Sequence, residues 1–233
     1  MSLFAKNAAV ILVHGAWADG SSWSQVVIPL SKEGLNVICA PIPLTSLAED
    51  IATLNRVISR TQGPVLLAAH AYAGAVIAGA TNDRVKSLVY VAALAPDEGE
   101  TVADVFYKEP PHPQAPQLQP DGDGLIWMTH EGFQNAFTQN SSKEIKALSE
   151  AVQRPLSVRC IQERVPKPAW KSRPSWFLIA TEDRMINPKT QQFMAERMGA
   201  KIRVRPVDHT PLLTAPDEVV DMIREAARET LTS

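Results

Sequence analysis

The chain has 233 residues, 45% of them hydrophobic and 21% charged, and a formal net charge of −2. That length fits one large domain or two small ones with a sizeable core, and the composition is ordinary for a globular protein. The small net charge and the lack of any Lys/Arg block exclude a nucleic-acid binder, and no apolar run approaches the roughly 18 residues of a membrane span. The stretch Met1–Asn7 carries no signal-type apolar segment separate from the first strand, so a soluble cytoplasmic protein is expected. Two cysteines, Cys39 and Cys160, read as buried free thiols and not as a disulfide.

The elements alternate from the start. Ala8–Val13 is a continuous β-branched run, the pattern of a strand buried on both faces. His14–Gly20 is a loop, and Ser21 or Ser22 can cap a helix over Trp23–Glu33 that ends at Gly34. Asn36–Ala40 is a second buried strand, closed by Pro41 and Pro43. Leu47, Ile51, Leu54, Val57 and Ile58 share one face of a helix over Leu47–Arg60. After Gly63-Pro64 comes Val65-Leu66-Leu67-Ala68-Ala69-His70-Ala71-Tyr72-Ala73-Gly74-Ala75-Val76-Ile77. There an apolar run stops at His70, a cluster of small residues follows, and a second apolar run begins. This is a buried strand turning sharply into a buried helix. Val85–Leu94 is a further strand, stopped by Pro96.

Residues 97–173 break the alternation with five prolines between Pro110 and Pro120, then helical patterns over Glu131–Thr138 and Lys143–Val152. They read as a lid inserted into a single domain spanning 1–233. The alternation then resumes with a strand over Ser175–Ala180, a helix over Pro188–Met198 and a strand over Lys201–Val207, with Ile202 and Val204 on one face. A closing helix covers Asp217–Leu231. The expected fold is α/β, a mostly parallel sheet with helices on both faces.

Four motifs follow predicted strands in order: His14-Gly15-Ala16-Trp17, Ala69-His70-Ala71-Tyr72-Ala73-Gly74, Ala180-Thr181-Glu182-Asp183-Arg184 and Asp208-His209-Thr210-Pro211-Leu212-Leu213. Together they resemble the oxyanion loop, nucleophile elbow, acid loop and histidine loop of small α/β-hydrolases, in the family's order of nucleophile, acid and histidine. The resemblance covers essentially the whole chain. It is greatest to small bacterial esterases and to the hydroxynitrile lyase and methyl esterase group.

The residue roles follow from this resemblance. His209 lies in a loop and suits a general base, since histidine titrates near neutral pH. The resemblance places the orienting acid on Asp183 and not on Glu182. The N–H groups of Ala16 or Trp17, with that of Tyr72, would face a developing oxyanion. His14 and His70 read as structural. Trp127, Met128 and Phe133, with Phe137, either wall an apolar substrate pocket or form the lid's own core; their spacing does not separate the two.

One position departs from the pattern. The elbow residue is Ala71, and a methyl group is not a nucleophile. Three accounts compete. The chain is a hydrolase of a small ester, thioester or lactone whose serine has become alanine, in nature or by design. Or the His209–Asp183 pair works without a side-chain nucleophile, as the base of a lyase, isomerase or cofactor-free oxygenase. Or the protein binds a small molecule without turning it over. Ser21, Ser22 and Thr210 are neighbouring hydroxyls that the sequence does not place. The histidines are scattered without ligand spacing and no phosphate-binding glycine loop occurs, so neither a metal nor another cofactor is expected. The expected partner is a small-molecule substrate; the sequence gives no oligomeric state.

Overall fold

The computed structural model describes residues 3–232. Its strands are β1 (Ala9–Val13), β2 (Asn36–Ala40), β3 (Val65–His70), β4 (Val85–Val91), β5 (Leu125–Ile126), β6 (Leu156–Ser157), β7 (Ser175–Ala180) and β8 (Lys201–Arg205). Six of them form one sheet in the order β2-β1-β3-β4-β7-β8. Every neighbouring pair is parallel. β5 and β6 form a separate antiparallel ribbon.

Side-chain alternation sorts each strand between two cores. Val10, Leu12, Leu66, Ala68, Val89 and Val91 pack on one face with Trp23, Val26 and Leu30 and with Val219 and Ile223 of helix Pro216–Thr230. Ile11, Val13, Leu67, Ala69, Tyr90 and Phe177 pack on the other with Leu54, Ile58, Val76 and Met194. Helices therefore cover both faces of this parallel sheet. That double cover explains why β1 and β3 read as unbroken apolar runs.

The strand order reverses at β1. From β1 the chain steps outward to β2 and then returns to add β3 on the opposite side. The loops that leave the carboxyl ends of β1 and β3 diverge there and leave a crevice, the usual ligand position in an open α/β sheet. Both loops carry motifs singled out above.

The segment between Pro96 and Pro174 stays outside the sheet. It holds short helices at Val102–Phe106, Lys143–Ala151 and Val158–Gln162 and a π-helical turn at Phe133–Phe137. Its two ends are stitched together, since Gly99 N–H donates to the Val165 carbonyl at 3.0 Å and Val165 N–H to the Glu100 carbonyl at 2.9 Å. The segment thus begins and ends at one point, as an insertion must if the sheet is to close beneath it.

Several boundaries differ from the sequence expectation. The first helix is Ser24–Lys32, preceded by a 3₁₀ turn at Gly20–Trp23. Asp19 caps that turn, accepting from Ser21 N–H at 2.8 Å, so neither serine is the cap. β4 stops at Val91 because Ala92 turns to φ 44. β2 and β8 are the sheet's edges, so β2 is only half-buried, and Ile202 and Val204 of β8 are exposed. The closing helix is Pro216–Thr230, one residue earlier at each end. Both cysteines are free, but only Cys160 is buried; Cys39 sits half-exposed on edge strand β2. Among the described residues no helix is long and apolar enough to cross a membrane.

The turn after β3 depends on close approach. A Cβ on Gly74 would lie 2.2 Å from the Leu94 carbonyl oxygen, a backbone atom that cannot swing aside. Gly74→Ala is expected to cost about 3 kcal/mol of stability, an overpacking penalty measured as a lower midpoint in urea unfolding. An unchanged midpoint would contradict the rigid fit.

Candidate active site

Ala71 sits between the last residue of β3 and helix Ala73–Ala78, with φ 50, in the left-handed region. A β-carbon makes that conformation unfavourable by roughly 1–2 kcal/mol. Neighbouring backbone imposes it: Leu94 N–H donates to the Ala71 carbonyl at 3.0 Å, and Ala71 N–H to Val91 at 3.4 Å. The β1 loop presses from the side. A Cβ on Gly15 would come within 3.1 Å of the Ala71 Cβ and of the His70 carbonyl. Glycine at 15 and small residues along the turn are what let two backbones meet here.

Five non-glycine residues among those described have positive φ: Asn7, Trp17, Leu44, Ala71 and Ala92. Trp17 and Ala71 line one apolar pocket. Ala92 lies two residues before Leu94, which lines it too.

His209 follows β8 and turns back over Ala71. Its Nδ1–H donates to both Asp183 carboxylate oxygens, at 3.0 and 2.9 Å. That fixes the tautomer with a lone pair on Nε2. Nε2 has no protein partner among the described residues, and His209 lines the pocket beside Ala71. Asp183 is itself held firmly. One oxygen accepts the N–H groups of Met185 at 2.7 Å and Ile186 at 2.9 Å, and the other accepts the Gln191 side-chain amide at 2.8 Å. Gln191 is fully buried and returns its own oxygen to Ala180 N–H at 3.0 Å.

His70 lies beneath the turn. Its Nε2–H donates to the His209 carbonyl at 2.7 Å, and the two rings sit 4.8 Å apart. Burial pushes the His70 imidazole down to about 3, so it stays neutral and supports the histidine loop without adding charge. His14 is also buried, and its Nδ1–H donates to the Gly15 carbonyl at 3.0 Å.

The backbone N–H groups of Ala16, Trp17 and Tyr72 find no acceptor among the described residues, and all three residues line the Ala71 pocket. Trp17 is fixed by its indole N–H, which donates to the Ile126 carbonyl at 2.9 Å and so ties the β1 loop to the insertion.

The pocket holds ≈ 540 Å³ of free space, its mouth included. Its insertion-side walls are Phe106, Leu118, Ile126, Phe137, Leu156 and Ile161. Trp127, Met128 and Phe133, which the sequence left open between substrate pocket and lid core, are not among the residues that line it. Trp127 is exposed, with its indole N–H on Asp121 at 3.2 Å. Met128 packs inside the insertion against Gly132. Phe133 is fully buried, its ring 5.3 Å from Phe137. Phe137 is the aromatic that reaches the site, 5.3 Å from the His209 ring and 6.1 Å from Trp17. The period of a helix cannot tell which of two adjacent aromatics points inward when the turn is π-helical.

Ser21, Ser22 and Thr210 line a second cleft that shares Trp17 and Phe137 as walls, and none lines the Ala71 pocket. The residues lining that pocket include no serine or threonine. The insertion is also tied to the residues just before the acid and the histidine. Asn140 N–H donates to Asp208 at 3.2 Å, and the Gln139 side-chain amide to the Glu182 carbonyl at 3.0 Å.

Asp50 went unnoticed in the sequence reading. It is fully buried, accepts Leu44 N–H at 2.8 Å and takes the Tyr72 hydroxyl at 2.7 Å. A signal existed: an acid on the apolar stripe of helix Leu47–Ser59, three residues past Leu47 and four before Leu54. Burial pushes its carboxyl up to about 6, against the lowering effect of the Tyr72 hydroxyl and Leu44 N–H. The folded chain therefore holds this proton more tightly than the unfolded chain, whose aspartates titrate near 4. The contribution to stability is complete below pH ~4 and is lost as pH rises through ~6, by up to roughly 3 kcal/mol. In urea unfolding, Asp50→Asn is expected to remove that decline between pH 4 and 7; an unaltered decline would assign it to other groups.

The sequence profile of the Alpha/beta hydrolase family matches residues 10–222. The Alpha/beta hydrolase nvfD of Aspergillus novofumigatus (strain IBT 16806) is 24% identical over 246 residues, covering 96% of this chain and 98% of its own. The crystal structure of a pyrethroid hydrolase from Sphingobium faniae JZ-2 superposes with TM-score 0.80 at 19% identity, over 94% of this chain and 97% of that one. Polyneuridine aldehyde esterase gives 0.78 at 16%, over 95% and 100%. The methylesterase MES16 from Arabidopsis gives 0.74 at 16%, over 94% and 98%. The profile match spans more than half of the chain: the chain belongs to the Alpha/beta hydrolase family.

Proposed function

We propose that this chain is a hydrolase for a small ester, thioester or lactone, built around a site of Ser-His-Asp type in which residue 71 is alanine. One observation carries the reading. His209, locked on Asp183 by Nδ1, leaves Nε2 open to the same apolar pocket that holds Ala71 on its left-handed turn. In this reading a substrate carbonyl sits over Ala71, its oxygen facing the N–H groups of Tyr72 and of Ala16 or Trp17, and segment 97–173 is the lid over it. His209 accepts a proton from the attacking group and later delivers it to the leaving oxygen or sulfur. With a methyl at position 71 the only attacking group is water, so hydrolysis by the chain as it stands is weak and not absent. The test is Ala71→Ser. The variant is expected to turn over short p-nitrophenyl esters; a folded variant without turnover overturns the reading.

A second reading is favoured by the same alanine. A base, its acid and unpartnered N–H groups all surround a position without a hydroxyl, a set that could draw a proton from carbon and hold the resulting enolate. The chemistry would then be that of a lyase, an isomerase or a cofactor-free oxygenase. His209→Ala would abolish any such native activity. Tight ligand retention in mass spectrometry without turnover would instead favour a binding protein.

A further inference from the structure

Behind the pocket wall lies a buried polar cluster that the hydrolytic chemistry does not use. Asp50 Oδ2 accepts the Tyr72 hydroxyl at 2.7 Å and lies 3.8 Å from the Cys160 sulfur, while Oδ1 accepts Leu44 N–H at 2.8 Å. The carboxylate thus joins three segments that surround the site: the loop after β2, the turn after β3 and the inserted segment. The insertion bonds to that loop a second time, through Ser157 N–H on the Leu44 carbonyl at 3.0 Å.

We propose that Asp50 is a positioning residue: by holding the Tyr72 hydroxyl it fixes the Tyr72 side chain and, through it, the direction of the Tyr72 N–H that faces the pocket.

Tyr72 follows the strained Ala71 and opens helix Ala73–Ala78 without a side-chain cap. Its carbonyl accepts the Ala75 N–H at 3.0 Å, while its own N–H has no acceptor among the described residues. The ring, nearly fully buried, is a lever with one end at that N–H and the other at Asp50. An oxyanion donor acts only if it is aimed before charge develops. A hydrogen bond at the far end of a rigid aromatic side chain is a direct way to aim it.

The surroundings do not explain Asp50 as an ion pair. Its contacts are a hydroxyl, an amide and a thiol, all neutral. Arg154, the cation that acts on it, uses its own donors on the Ile42 and Pro43 carbonyls at 3.1 and 3.4 Å. Glu163, which acts on Cys160, accepts Ala48 N–H at 2.9 Å. A carboxylate buried without a paired cation is a poor structural device, since an apolar residue would pack there at lower cost. What the carboxylate supplies is an acceptor at the Tyr72 hydroxyl.

The consequence for rate rests on the hydrolase reading, so the experiment has two arms. In the Ala71→Ser background with p-nitrophenyl acetate, Asp50→Ala and Tyr72→Phe are each expected to lower kcat about ten- to a hundredfold with KM within about twofold. Asp50→Asn, which can accept from Leu44 and donate to the Tyr72 hydroxyl, should restore most of that loss. Tyr90→Phe removes a buried hydroxyl that has no partner among the described residues and should leave kcat unchanged. In the unaltered Ala71 chain, the backbone amide signal of Tyr72 in a nitrogen–proton NMR spectrum should move in Tyr72→Phe and Asp50→Ala and return toward its place in Asp50→Asn. If Ala71→Ser has no esterase activity, the hydrolase reading falls and the amide signal alone decides on Asp50. A Tyr72 amide that stays put in Asp50→Ala, or a kcat that stays put in both variants of the active background, overturns the proposal.

Discussion

Ala71→Ser is expected to raise the steady-state rate of p-nitrophenyl acetate hydrolysis by at least about 10³-fold over the unaltered chain. In enzymes of this type, loss of the nucleophile costs up to about 10⁶ in kcat, while the remaining donors and binding still give about 10³–10⁴ over water. On the hydrolase reading the serine would meet a base and a backbone donor. His209 has its tautomer fixed and Nε2 open, and the Tyr72 N–H is unpartnered. The substitution asks little of the fold. Ala71 already has the positive φ and already carries a Cβ 3.1 Å from where a Gly15 side chain would begin. Serine adds one oxygen to a residue that lines an open pocket. A rate within a few-fold of the unaltered chain would contradict the assignment of this turn as a nucleophile elbow.

In the same background, Asp183→Asn should reduce kcat by about 10⁴-fold, and His209→Ala by at least as much. The asparagine amide would present a donor where Nδ1–H now donates, which forces the imidazole proton onto Nε2 and leaves no base in the pocket. The effect is sharpened by Gln191. Asp183 must accept from Met185, Ile186, Gln191 and His209 together, and a carboxamide has one oxygen for the work of two. The pH profile separates this loss from unfolding. A mispositioned base lowers kcat across the whole range, while the circular dichroism spectrum stays that of the parent. Retention of kcat within tenfold would remove the pair from the mechanism.

The sheet was legible because a strand buried on both faces leaves an unbroken apolar run, as in Ala9–Val13 and Val65–Ala69. The edges were less so: β8 exposes Ile202 and Val204, and its alternation alone did not say which face met solvent. The turn at His70–Gly74 could be read from residue size, since at Gly74 even a Cβ would lie 2.2 Å from the Leu94 carbonyl oxygen. His209 and Asp183 could be singled out because their loops, each after a strand, resemble the family's histidine and acid loops. Gln191 and Phe137 could not. Their contacts depend on how one helix and one π-helical turn rotate against the sheet, and no short spacing encodes that rotation. Asp50 lies between these cases. An acid on an apolar helical stripe signals a buried partner, but its identity, Tyr72, is set by packing across 22 residues of sequence.

The central claim is that this site lacks only the hydroxyl at position 71. Labelling by a fluorophosphonate tests it most directly, because the reagent reports an activated nucleophile and needs no knowledge of the substrate. Ala71→Ser should be labelled stoichiometrically, with the adduct mapped by peptide mass spectrometry to residue 71, and His209→Ala in that background should abolish the label. A folded Ala71→Ser chain that takes no label, or takes it independently of His209, would contradict the account.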